Sequence, residues 1–155
     1  MENKTFKKIL REYFKDIGYK SNKKCFYKDY GEIYLKFDLQ KSNFSNGWYI
    51  NYSIVIKELH PDEEVLDNWE HDASGRVIFN IDGGATDIAL IELDDTKGID
   101  SFKKDVYKGI ADIVTVFEKG GLENYINTFP NLICIFSIWA QEYILEKEYI
   151  KEIKE

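Results

Sequence analysis

Between Ile33 and Lys57 the chain alternates apolar and polar side chains with a period of two, twice over, around a polar turn. Ile33, Leu35, Phe37 and Leu39 fall on one side of the first run, and Tyr34, Lys36, Asp38 and Gln40 on the other. After the turn at Asn43 to Gly47, Trp48, Ile50, Tyr52, Ile54 and Ile56 share a side, opposite Tyr49, Asn51, Ser53 and Lys57. Successive side chains of a strand point to opposite faces, whereas a helix would scatter both sets around its circumference. The pattern therefore requires two long strands in an antiparallel sheet, apolar beneath and polar, tyrosine-bearing outside.

The apolar side needs a cover, and helical patterns on both flanks supply one. Phe6, Ile9, Leu10, Tyr13, Phe14 and Ile17 form a single helical stripe over residues 3 to 17, stopped by Gly18 at a left-handed C-cap. Cys25 to Asp29 reads as a short strand that turns at Tyr30-Gly31 into the long one. Pro61 followed by three acids marks the start of a short helix to Trp69. Arg76 to Ile81 reads as a fourth strand, and Ile88 to Leu93 as a fifth strand or a helical turn. A helix capped by Asp100 or Ser101 carries Phe102, Val106, Ile110, Ile113 and Phe117, and stops at Gly120-Gly121. Leu122 to Ile126 is a helical turn and Pro130 a break. A last helix from Asn131 is apolar nearly all round until Trp139, which predicts a buried first half. The expectation is an α+β fold: an N-terminal helix, an antiparallel meander of four to five strands, and C-terminal helices packed on one face. The whole of 1–155 reads as a single α+β domain.

Composition narrows the function. Hydrophobic residues make up 44% and aromatic residues 15% of the 155, too rich for a disordered chain. With 28 acids against 21 bases the net charge is −7, which disfavours attraction to nucleic acid or anionic lipid. Cys25 and Cys134 stand far apart in apolar surroundings and read as reduced, buried thiols of a cytoplasmic protein. The first residues lack the apolar core and small-residue cleavage site of a secretion signal, and the run Leu132 to Ala140 is too short to span a bilayer.

No catalytic spacing stands out. His60 and His71 lie near Asp62, Glu63, Glu70 and Asp72, yet they are not one helical turn apart and no cysteine pair joins them, so no metal site is assigned. Cys25 sits among aromatic residues, where a thiol is inert, and neither a nucleophile elbow nor a Walker loop is present. The segment Ile81 to Ala89, with Asp82, Gly83, Gly84 and Asp87, resembles the second phosphate loop of actin-like ATPases. That fold needs two large lobes and a first phosphate loop, which this chain lacks, so a tight turn is the simpler reading. No cofactor is expected.

The segment Ile17 to Ile54 resembles a bacterial family, domain of unknown function 4304, most specifically at Leu39-Gln40-Lys41-Ser42 followed by Tyr49-Ile50-Asn51. The strand at Arg76, Ala89 to Asp95 and Phe117 to Ile126 are similar to its later blocks. The resemblance covers roughly residues 5 to 128, departs at Thr115-Val116-Phe117, and implies a fold without an activity.

Charge segregation points furthest toward function. Residues 1 to 30 carry a balance of +5 and residues 58 to 100 one of −11. The leading expectation is a non-enzymatic cytoplasmic binding module, of immunity or antitoxin type, that meets a basic protein partner. Its partner surface would be Asp62, Glu63, Glu64, Asp67, Trp69, Glu70 and Asp72, with Trp69 as the desolvated anchor. The polar sheet side (Tyr34, Lys36, Asp38, Gln40, Tyr49, Asn51, Ser53, with Asn80 at its margin) would hold a ligand. Alternatives are a small-molecule or nucleotide-processing enzyme using that side with the Asp82–Asp87 turn, and a homodimer built on Trp48 and the last helix.

Overall fold

A computed structural model describes residues 1–22, 25–61, 71–80, 88–95 and 98–150. The period-two segment forms the two central strands. β1 (Lys20–Ser21), β2 (Phe26–Asp29), β3 (Ile33–Lys41), β4 (Gly47–Ile56) and β5 (Ala73–Arg76) pair in that spatial order, and β6 (Ile91–Glu92) pairs separately with β4. Every pairing is antiparallel. The β3–β4 register sets Leu35 against Ile54, Phe37 against Tyr52 and Leu39 against Ile50, and on the other side Lys36 against Ser53, Asp38 against Asn51 and Gln40 against Tyr49. The sequence-derived faces are thus the faces of the sheet, which has six strands among the described residues.

Among the described residues three helices cover the apolar side. α1 (Asn3–Asp16) buries Phe6, Ile9, Leu10 and Phe14, and Gly18 closes it at φ 88 with its N–H on the Lys15 carbonyl. α2 (Ile99–Thr128) buries Phe102, Val106, Ile110, Val114 and Phe117. α3 (Ile138–Glu146) adds Ala140, Tyr143 and Ile144 to one continuous core with Ile33, Leu35, Phe37, Ile50, Tyr52, Ile54 and Ile56. The expected α+β architecture, with helices on one face, is the architecture found.

Several local expectations are corrected. Gly98, not Asp100 or Ser101, precedes the first turn of α2. The stop at Gly120-Gly121 is found: both residues leave helical geometry, Gly121 at φ 64 and ψ −148, a conformation open essentially to glycine alone, so α2 is two helices joined across a kink, the second carrying Leu122 to Ile126. The fourth strand is β5, which starts and ends earlier than Arg76 to Ile81; beyond it, Phe79 bridges Ile88 through two backbone hydrogen bonds of 2.7 and 2.9 Å. Ile88 to Leu93 divides into that bridge, β6, and a short 3-10 turn at Leu93–Asp95. The last helix does not begin at Asn131. Pro130–Ile135 forms a 3-10 segment, and Ser137 then caps α3 by accepting the Ala140 N–H. The expected buried first half is met only in part: Ile133 and Phe136 are buried, whereas Ile138 and Trp139 are 73% and 72% exposed. The expected short helix from Pro61 to Trp69 lies outside the described residues.

Candidate functional site

The outer face of the sheet carries the ligand residues anticipated from alternation, and it is a connected network. Asn51 lies across from Asp38 and one step from Gln40, and its amide donates to both, at 3.3 Å to Asp38 Oδ2 and 3.0 Å to Gln40 Oε1. Arg76 stands opposite Asn51 on β5, stacks its guanidinium 3.9 Å from the Tyr49 ring centroid and reaches Gln40 Oε1 at 3.4 Å. Tyr34 meets Tyr27 edge-on, with Lys57 over its ring and bonded to Asp29. Lys36 and Ser53 sit side by side between these two groups. Arg76 belongs to this face, a role that its assignment to a later strand concealed.

Two details modify the picture of an open wet face. Val55, opposite Tyr34 on the polar side, is buried and stands apart from the main core. Asp38 is half-buried, and its carboxyl is pushed above the usual range by burial, against the lowering pull of the Asn51 hydrogen bond, Lys36 and His71. Carboxamides, a carboxyl and a stacked guanidinium are thus the hydrogen-bonding groups that this face presents.

Asp72 is not on a partner surface. It is 4% exposed, accepts the Ile56 N–H at 2.7 Å, and lies within 3.1 Å of His60 Nε2 through both carboxyl oxygens. Its backbone carbonyl also accepts the Ser137 N–H at 2.8 Å. The sequence reading grouped Asp72 with the surrounding acids, whereas its carboxyl serves buried donors at the β4–β5–α3 junction. Asp62, Glu63, Glu64, Asp67, Trp69 and Glu70 lie outside the described residues, as do Asp82 and Asp87.

Between β5 and α2 runs a groove of about 620 Å³. Arg76, Asn80, Asp105, Lys108 and Asp112 border it, and Ile78, Ile113, Phe129, Leu132 and Ile135 give it an apolar lining. Asn80 therefore belongs to this groove and not to the sheet face. Helix and strand approach closely here: a Cβ on Gly109 would fall 2.5 Å from the Phe79 ring. Ile135 is itself 41% exposed, and shortly after it in the chain Ile138 and Trp139 are exposed as well. Sequence reasoning missed that exposure because apolar content alone does not distinguish a buried helix from one whose first turn projects beyond the core.

Two further expectations change. Trp48, proposed as a dimer contact, packs on Phe6 beneath Lys7 and Lys41, is only 7% exposed, and donates its Nε1–H to Asn3 Oδ1. Cys25 is buried as expected, with its thiol pushed up chiefly by desolvation, but Cys134 is exposed on the 3-10 segment. Among the described residues no group of three or more His, Cys, Asp or Glu is arranged to hold a metal ion. Nor is any described helix long and apolar enough to cross a membrane.

Fold and surface together define a helix-covered antiparallel sheet with one hydrogen-bonding face and a lateral groove. The chain belongs to the family described as Domain of unknown function (DUF4304), which matches residues 10–119 and so spans α1 from its third turn, the whole sheet and most of α2. No curated protein and no solved structure matches it.

Proposed function

We propose that this chain is a non-enzymatic binding module of the bacterial cytoplasm that docks a basic protein partner, in the manner of an immunity protein or antitoxin. The observation that carries the reading is the exposure of Ile138 and Trp139, about three-quarters each, at the start of α3, three and four residues after the Ile135 that lines the β5–α2 groove. Aromatic and aliphatic side chains left in water beside charged residues are the usual anchors of a protein interface. The charge supports the sign of the partner: the chain carries −7 overall and −11 within residues 58 to 100. In this reading Asp62, Glu63, Glu64, Asp67 and Glu70 steer a cationic partner, while Trp69 and Trp139 supply contact energy.

The test is capture from the native host, followed by purification of the captured protein and titration at rising ionic strength. The expected result is a basic partner whose association slows with salt and whose affinity drops at least about tenfold with Trp139→Ala. Binding indifferent to both salt and Trp139→Ala would sink the proposal.

A further inference from the structure

A second concavity lies between α1 and the start of the sheet, and it has a different chemistry. It has a volume of about 290 Å³ and is lined by Lys7, Arg11, Ser21, Asn22, Cys25, Phe26, Asp38, Leu39 and Trp48. Lys7 and Arg11 stand one helical turn apart on α1 and so project along the same side of the helix. Neither forms an ion pair among the described residues. Lys7 is held in place, its Nζ 5.0 Å from the centroid of the Trp48 ring. The wall opposite is polar: Asn22 is fixed by accepting the Cys25 N–H at 2.8 Å, and Asp38 is oriented by the Asn51 amide.

We propose that this cleft binds a small phosphorylated metabolite that also carries hydroxyl groups. Arg11 and Lys7 meet the phosphate, Arg11 through the fork of donors that suits its oxygens and Lys7 as a point charge. Asp38 can only accept when ionised, so a bare anion would be repelled there, whereas a ligand hydroxyl would donate to it. The volume sits at the lower end of the range for ligand sites, which suits a sugar phosphate and is too small for a dinucleotide. The surrounding field has the right sign, since residues 1 to 30 carry a balance of +5 within an otherwise acidic chain. This site is independent of the protein-partner reading.

Calorimetric titration of the full chain with glucose 6-phosphate, inorganic phosphate and glucose tests it. Saturable binding of glucose 6-phosphate is expected, tighter than that of inorganic phosphate, with none for glucose. Arg11→Gln should weaken it roughly tenfold or more, the worth of a charge-assisted contact. Lys4→Gln, on the same helix but outside the cleft, should change it less than about twofold. Asp38→Asn should weaken glucose 6-phosphate binding and spare inorganic phosphate. No saturable binding at millimolar probe, or equal losses from Lys4→Gln and Arg11→Gln, would overturn the proposal. Arg11 is exposed, and circular dichroism of each variant establishes that the fold is retained.

Discussion

Replacing Asp72 by alanine removes a carboxyl on which the buried Ile56 N–H and the part-buried His60 ring both depend. The Ile56 N–H at 2.7 Å and His60 Nε2 at 3.0 Å would both lose their acceptor in a site 4% exposed to water. A buried donor stripped of its partner costs about 1–3 kcal/mol, so the pair should cost roughly 4 kcal/mol. Ser137 Oγ, at 3.5 Å, adds little. Urea unfolding measures the loss: with a slope near 2 kcal/mol per molar, the midpoint should fall by about 2 M. Asp72→Asn keeps one acceptor oxygen and should lose about half as much. Glu58→Ala, an exposed acid in the same region, should stay within about 0.5 kcal/mol. An Asp72→Ala variant equally close to the parent would refute the junction role and return Asp72 to the surface acids.

Two further expectations concern packing and titration. Gly109→Ala should destabilise the protein although alanine favours a helix by about 1 kcal/mol, because the new Cβ meets the Phe79 ring at 2.5 Å and the Ile78 carbonyl at 2.9 Å. The overpacking cost of about 1–3 kcal/mol should outweigh that gain and lower the melting temperature by several degrees; a stabilised variant would show that strand and helix separate freely. The Asp38 carboxyl is raised by burial, so the folded state holds its proton more firmly than the unfolded chain. Stability from this group is therefore complete below the unfolded pKa and is lost as pH rises through the folded one. Asp38→Asn should accordingly gain stability at pH 7 relative to its effect at low pH, and a carbon-detected titration of Asp38 should give a midpoint above the usual carboxylate range; a midpoint in or below that range would contradict the burial argument.

The parts of the fold legible in the sequence were those written in period. Strand alternation from Ile33 to Lys57 gave the sheet, its register parity and its polar face, because one-sided burial leaves a two-residue signature that no other element copies. The α1 stripe and the Gly18 stop were equally direct. What escaped depended on partners distant in sequence. Asp72 looks like any other acid until β4 and α3 bring Ile56, His60 and Ser137 around it. The cleft beside α1 was invisible for the same reason: Lys7 and Arg11 are two polar positions on an amphipathic helix until Asn22, Cys25 and Asp38 come together with them around a pocket. Ile138 and Trp139 mislead in the opposite direction, since hydrophobicity without an i to i+4 contrast says nothing about which side meets water.

The Glu32 carboxylate, in the turn between β2 and β3, accepts the hydroxyls of both Tyr143 and Tyr149, from 111 and 117 residues away. During synthesis the turn that holds Glu32 emerges long before either phenol, so this clasp closes only after Tyr143 and Tyr149 have left the ribosome. Bringing such remote groups together carries a loop-closure penalty that local contacts do not, which assigns the clasp to the last stage of folding. Glu32→Ala should therefore speed unfolding while leaving the rate of early sheet formation almost unchanged, which stopped-flow unfolding and refolding would measure.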